Sequence, residues 1–536
     1  MTDTKPQDDT AAQDDRAPVH IQKHLVYIIY AALMAAMFLS SLDQSVVSTA
    51  LPTIVGDLGA VSHEGWIITS YLLAIAIVMP IYGKIGDLYG RRWPFLFSIA
   101  VFVLGSLGSA LAESFWMLVA ARTFQGLGAG GLVILSQAIV ADIVSARDRG
   151  KYMGPMGAIF GIASVAGPLL GGWFTEGPGW RWCFWLNVPI GLIALVVAIF
   201  ALKLPMQRST RPFDWYGTVF MALFTAGIVF LTSWPSVVPS GKYDWSDPIL
   251  VLLLVGTILA FSIFVWVETR VDEPLVPLRL FRDPVFSVSV TVALILGITM
   301  FAALSFLPTF LQMARGVGPT DSGLLMLPMT AGVMLTAIVS GLLITKTGKY
   351  RIYPILGMAI TTAGIAWLTR ITGSMSMVLF GAMIFVLGFG MGLVIQTIVI
   401  AVQNAVDPSE VGTATSTNNF LREIGAAIGT SVFGTLFTSK LTANLHDVMA
   451  KVPPQDLPPD LLHDDLTPEV VKALPEPLHT QVVDAYVNAM APSFWYLVPI
   501  AAIGFIASLF LRNKALSTQA GLVARGEATP QPASTA

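Results

Sequence analysis

Four ionisable residues stand inside apolar runs of this chain: Asp43, Arg122 and the adjacent Arg422 and Glu423. Taking a carboxylate out of water is costly, and a carboxyl so placed holds a proton more readily, which gives Asp43 the character of a proton carrier. The structural alternative puts Asp43 near the membrane surface, hydrogen-bonded to Gln44 or Ser48. Arg122 cannot shed its charge, so it needs a carboxylate, a wet cavity or a brace to helix carbonyls. Neighbours on a helix point about 100° apart, so Arg422 and Glu423 cannot both face one cavity. Glu423 is therefore either a second titratable group or the partner of a buried cation. Gln125, Gln396 and Arg422 are the candidate substrate contacts. Proton transfer is the chemistry this set allows.

A second cluster, YGKIGDLYGRRW at 82–93, places Lys84, Asp87, Arg91 and Arg92 among Gly83, Gly86 and Gly90. Gly86 and Gly90 supply permissive backbone for a tight turn between two helices, and the arginines suit a membrane surface. Asp87 is the odd member. An anion near a helix N-terminus gains about 0.3–1 kcal/mol when exposed and up to ~2 when partly buried. A topological anchor explains the arginines but not Asp87.

The elements that must carry these groups are membrane helices. Of 536 residues, 55% are hydrophobic and 12% charged, about half the charge of a soluble chain. Mean hydropathy is +0.73. Spanning roughly 30 Å of hydrocarbon takes about 20 residues. Fourteen candidate stretches are found at 25–50, 66–82, 95–111, 115–140, 153–174, 184–202, 215–231, 249–267, 288–311, 324–344, 353–368, 377–402, 411–437 and 494–511. The expected fold is an all-α membrane protein with 14 transmembrane helices.

Basic residues decide orientation. With the N-terminus inside, the cytoplasmic loops carry Lys84, Arg91, Arg92, Arg147, Arg149, Lys151, Lys203, Arg208, Arg211, Arg270, Arg279, Arg282, Lys346, Lys349 and Arg351, and the short outer loops only Arg181, Lys242, Arg315 and Arg370. Both termini are expected in the cytoplasm, at the plasma membrane. Segments 1–24 and 513–536 read as disordered cytoplasmic tails, the first lacking the basic start and cleavage site of a signal peptide. The acidic segment 440–491 reads as an extracellular loop. Within it Thr467, Pro468 and Glu469 form a helix start, and Val482, Tyr486 and Met490 recur at four-residue spacing, as in an amphipathic helix over the outer mouth.

A repeat organises the spans. Gly83, Gly90 and Arg91 recur as Gly341, Gly348 and Lys349, with the same seven-residue glycine spacing, although the second copy has no acid at the Asp87 position. Two six-helix halves, 25–202 and 285–512, thus flank an inserted helix pair within 203–284. Parallel repeats of this kind belong to rocker-type transporters.

Four motifs together resemble the major facilitator superfamily, in particular its fourteen-helix drug:proton antiporter branch: LDQSVVSTALP at 42–52, GKIGDLYGRR at 83–92, RTFQGLGAGG at 122–131 and GPLLGG at 167–172. WRWCFWLNVPIG at 180–191 is similar to that branch too. The resemblance implies proton coupling or substrate contact at Asp43, and a cavity-facing Arg122 that takes part in proton transfer. It implies a latch at Gly83, Asp87, Gly90 and Arg91, in which Asp87 docks near the start of the thirteenth helix at 412–415. It implies export, marked by Gly167, Pro168, Gly171 and Gly172, although generic packing also yields small-residue stripes. Relatives handling dications often carry an acid in the span at 377–402, which here has none; that argues against a dicationic substrate.

Other classes fit poorly. The net charge of −3 and pI near 6.1 argue against a nucleic-acid partner. One cysteine, Cys183, precludes an intramolecular disulfide, and the six histidines lie outside the apolar runs, so no metal and no cofactor are expected. The Gly-Lys pairs at 83, 150, 241 and 348 are followed by Ile, Tyr, Tyr and Tyr, so there is no P-loop to bind ATP. Catalytic motifs of an enzyme are not found. The reading is a monomeric proton-driven exporter of lipophilic small molecules in the bilayer, with an exporter of an endogenous metabolite or lipid as the alternative and a membrane scaffold or sensor behind it.

Overall fold

The computed structural model describes residues 23–59, 63, 65–204, 212–234, 247–450 and 468–526. The ends 1–22 and 527–536 and the loop stretch 451–467 lie outside the described residues. Among the described residues the chain forms fourteen long helices: α1 (Lys23–Asp57), α2 (Gly65–Tyr89), α3 (Arg92–Ala110), α4 (Phe115–Ile143), α5 (Arg149–Glu176), α6 (Trp182–Ala201), α7 (Trp215–Thr232), α8 (Pro248–Glu268), α9 (Pro284–Arg315), α10 (Thr320–Thr347), α11 (Ile352–Leu368), α12 (Met377–Ala405), α13 (Val411–Met449) and α14 (Leu478–Leu509). Twelve are long and apolar enough to cross a membrane. The other two are α11, which is apolar but has only 17 residues, and α13, whose first turns read VGTATSTNN. That polar run is buried within the protein.

Several helices outrun the apolar stretches that announce them. α2 continues through Gly83 and Gly86 to Tyr89, and α13 continues to Met449. An apolar run marks what can face lipid, whereas the hydrogen-bonded backbone extends wherever polar side chains find partners or water. Gly86 is consequently helical and buried, not part of the turn expected for it. Gly90 alone makes that turn, with φ +83°, and its counterpart Gly348 has φ +69°. These left-handed angles are open to glycine at little cost.

Packing follows one scheme twice. α1 packs on α5 and α6, α2 and α3 on α4, and α3 on α6; likewise α9 packs on α13 and α14, α10 and α11 on α12, and α11 on α14. Two seams join the sets, α5 with α10 and α2 with α13. The repeated glycines sit at these seams. A Cβ on Gly83 would lie 2.7 Å from the Gly412 carbonyl oxygen, and one on Gly341 2.1 Å from that of Gly150. α7 and α8 pack on each other, and α7 leans on α2 and α13.

The segment read as an outer loop, 440–491, is largely helical where it is described. Val482, Tyr486 and Met490 are buried, and Tyr486 meets Phe437 of α13 edge-on at 5.1 Å. This stripe lies on α14 itself, which reaches the last apolar stretch through a single 3-10 turn. The tail differs from expectation as well: residues 513–526, though largely exposed, are tied to the helix bundle through Lys514, Ser517 and the buried Gly521 and Leu522, with a short helix at Gly521–Ala524.

Candidate functional site

The helices bring Asp43 and Arg122 together. Both are buried, at 0% and 1% exposure, and Arg122 Nη1 donates to Asp43 Oδ2 as an ion pair. Arg122 and Gln125 are three residues apart on one face of α4. The same Nη1 donates to Gln125 Oε1 at 2.8 Å, and Gln125 Nε2 donates to Asp43 Oδ1 at 2.9 Å. α6 adds Asn187, whose Nδ2 donates to Asp43 Oδ1 at 2.7 Å. Tyr71 of α2 places its ring 3.9 Å beneath the guanidinium. The surface location for Asp43, with Gln44 or Ser48 as partner, is therefore replaced by a four-residue network. Gln125 is a member of that network instead of a free cavity contact.

Close helix approach makes this possible. A Cβ on Gly126 would stand 2.6 Å from the Tyr71 carbonyl oxygen, and one on Gly128 2.4 Å from the Phe102 nitrogen. The glycines of RTFQGLGAGG thus seat α4 between α2 and α3, and Arg122 is carried to α1. Asn187 was not singled out from sequence. Its signal was an amide inside the apolar run WLNVPIG, where an unpaired polar group is expensive.

The second constellation joins α2 to α13. Asp87 accepts from the backbone N–H groups of Gly412 at 2.9 Å and Thr413 at 2.6 Å, in the first turn of α13. Those N–H groups have no partner within the helix, and the helix dipole favours an anion there. Arg91 Nη2 donates to Asp87 Oδ1 at 2.9 Å, and its Nη1 reaches Asp142 Oδ1 at 3.0 Å and the Ala138 carbonyl. Arg91 is 3% exposed, so it is a buried bridge and not the surface anchor its sequence position suggested; Arg92 keeps the peripheral role, donating to the Ile199 carbonyl at 3.2 Å. Beside them Glu410 pairs with Arg279. Burial raises the Glu410 carboxyl above its ordinary value, against the lowering effect of Arg279.

Between the two sets lies a polar seam. Asn419 Nδ2 donates to Gln137 Oε1 at 2.9 Å, and Gln403 Nε2 donates to the Gln137 carbonyl at 3.3 Å and Thr415 Oγ1 at 3.0 Å. Sequence reasoning passed over these amides because each is unremarkable alone. Gln396 of α12 is 2% exposed and neither amide atom has a partner among the described residues; its Cγ would be 2.8 Å from a Cβ on Gly157 of α5. Gly167 and Gly171 admit Ser45 and Thr49 of α1, while Pro168 and Gly172 face Gly323 and Thr320 near the start of α10. Arg422 and Glu423 pair with each other at 3.2 Å, and no hydrogen bond or ion pair among the described residues links them to Asp43.

Comparisons with known proteins place the chain in a family. The family model described as Major Facilitator Superfamily matches residues 33–430. The chain is 36% identical over 493 residues to an uncharacterized MFS-type transporter of Mycobacterium tuberculosis, covering 91% of this chain and 70% of that one. It is 30% identical over 515 residues to the multidrug transporter protein MdtP of Bacillus subtilis, covering 92% and 94%. In fold it is similar to the human organic anion transporter MFSD10 (TETRAN), at 15% identity and a TM-score of 0.59, over 90% of this chain and 99% of the other.

Proposed function

The chain belongs to the Major Facilitator Superfamily, a family of transporters and not enzymes, and from that premise we propose that it is a proton-coupled antiporter exporting lipophilic organic compounds by alternating access. The observation that carries the reading is the buried Asp43–Arg122 pair. A proton arriving on Asp43 cancels its charge and frees the guanidinium, which retains Gln125 and the faces of Tyr71 and Phe184. Deprotonation restores the pair. The site thus has two charge states, each favouring a different packing of α1, α4 and α6. One proton moving down 100 mV and one pH unit supplies about 3.7 kcal/mol, a gradient of several hundred-fold. The relative MdtP is named as a multidrug transporter, which supports a range of more than one drug-like substrate.

In this reading fourteen helices span the plasma membrane as two six-helix halves plus the pair α7 and α8, both termini are cytoplasmic, the protein acts as a monomer, and Asp87 latches the cytoplasmic side. Reconstituted protein in vesicles loaded with a pH-sensitive dye tests it. Substrate-dependent proton movement, abolished by a protonophore, is expected; substrate movement unaffected by the protonophore would refute coupling.

Two further outcomes follow from the geometry. Asp87→Asn keeps one acceptor oxygen for α13 but loses the charge that the N–H groups and Arg91 address. Losing ~1–2 kcal/mol shifts a two-state balance about 5- to 30-fold. Turnover should slow on that scale while equilibrium substrate binding persists; an unchanged rate would exclude the latch. Gln396→Leu should separate stability from function. An unpaired buried amide costs about 1–3 kcal/mol, so the variant should melt no earlier than the parent, yet lose affinity for substrates that hydrogen-bond. A lowered melting temperature with intact affinity would remove Gln396 from the substrate site.

A further inference from the structure

The seam at the Asp87 end of the bundle is built from groups that water can replace. Gln137, Gln403, Thr415 and Asn419 meet there with exposures of 2% or less, and Gln137 Nε2, Gln403 Oε1 and Asn419 Oδ1 have no hydrogen-bond partner among the described residues. Parting these amides trades protein hydrogen bonds for hydration, so they themselves contribute little to keeping the seam closed. Closure rests on the contacts around them, of which the Asp87 latch is one and the tail a second.

The tail that follows α14 lies across this end. On the α9–α14 set, Lys514 Nζ donates to Asp283 Oδ2 at 2.6 Å and to the Ala405 carbonyl at 3.3 Å, and Asn404 Nδ2 donates to the Ala515 carbonyl at 3.3 Å. Tyr350, at the Gly348 turn, donates its hydroxyl to the Arg512 carbonyl at 2.9 Å and accepts from the Lys514 N–H at 3.1 Å. The chain then crosses to the α1–α6 set. The Arg147 N–H donates to the Ser517 carbonyl at 3.0 Å, Ser145 and Ala520 form a β-bridge, and Leu522, 2% exposed, packs into the core of that set.

Arg525 closes the circuit. Its Nη1 donates to Asp142 Oδ1 at 3.1 Å, the same oxygen that Arg91 addresses at 3.0 Å, and to the Pro408 carbonyl at 2.8 Å, just ahead of α13. One residue of the tail therefore grips both sides of the seam and joins the charge chain from Asp142 through Arg91 to Asp87. At the other end, burial would raise the Asp283 carboxyl, but the Lys514 ammonium and the Val285 N–H outweigh it and hold it below its ordinary value, so that grip is ionised at neutral pH.

We propose that residues 512–526 are a strap that holds this end of the transporter shut, so that the C-terminal tail sets how often the seam opens. The alternating-access reading gives the strap its purpose, but the contacts and the test do not need a transported substrate.

Ser416 is 0% exposed and faces Gly83 across the α2–α13 seam, and Cys183 is the sole native cysteine. The full chain carrying Cys183→Ser and Ser416→Cys, in lipid nanodiscs, reports opening through its rate of reaction with a bulky hydrophilic maleimide. Adding Lys514→Ala and Arg525→Ala should raise that rate about 5- to 30-fold, the factor that a 1–2 kcal/mol change brings. Deleting 512–536 should raise it at least as much. Thermal melting of each variant establishes that it is folded, and the milder double substitution carries the test where the deletion does not fold. Rates within twofold of the parent in a folded variant would overturn the strap. Fast labelling without any substrate-coupled proton movement would leave the strap standing and remove the antiporter reading; the reverse pattern would do the opposite.

Discussion

Asp43→Asn is expected to abolish proton-driven efflux while leaving the protein folded in the membrane. The amide is nearly isosteric but cannot take up a proton, so the site is held in one charge state. Its oxygen can accept from Arg122 or from the amides of Gln125 and Asn187, but not from all three as the carboxylate does. Asn187 can adapt, because its Oδ1 has no partner among the described residues and a turned amide presents that oxygen to the substituted group. The remaining cost falls on Arg122, which keeps Gln125 and the Tyr71 face. Substrate exchange across vesicles at equal concentration should survive, since exchange needs no net proton movement. Accumulation against a gradient should fall to background. Retained substrate-dependent proton flux would place the proton carrier elsewhere, with Glu423 the next group to test.

Arg122→Ala should have the largest effect on stability. Removing one partner of a buried ion pair strands the other, at about 3–5 kcal/mol, and here Asp43 would be left with amide donors alone at 0% exposure. Poor expression and a markedly lower melting temperature are expected. Combining Arg122→Ala with Asp43→Asn removes the stranded charge, so the double variant should melt above the single one even though more contacts are gone. That inversion is the diagnostic result. A double variant that melts at or below Arg122→Ala would mean that the guanidinium contributes chiefly by packing on Tyr71 and Phe184.

The residues most legible in advance were those expensive to bury. A lone carboxylate and a lone guanidinium in apolar runs each demanded a partner, and the glycine repeat at 83–90 and 341–348 is matched by two left-handed turns at corresponding seams. Asp87, the charge that a surface anchor could not explain, meets the N-terminus of α13. What was misread were groups whose cost depends on surroundings. Arg91 beside Arg92 resembles a surface pair, yet one is buried and the other is not. Gln137, Gln403 and Asn419 carry no charge to betray them, and a tail rich in Ser, Thr, Gln and Ala looks like unstructured chain until the helix ends that it bonds to are assembled.

By itself the sequence determined the membrane character, the helical periods, the repeat and the ionisable groups that could not be idle. The reason is that transfer from water to hydrocarbon is paid residue by residue, so composition and spacing suffice to register it. Only the tertiary structure decided which polar group answers which: Asp43 with Arg122 and Asn187, Asp87 with α13, Arg525 with Asp142. Those pairings join residues from 79 to 383 positions apart. Separations of that size are set by how the helices stack, since a hydrogen bond reads distance in space and carries no mark in the local sequence of either partner.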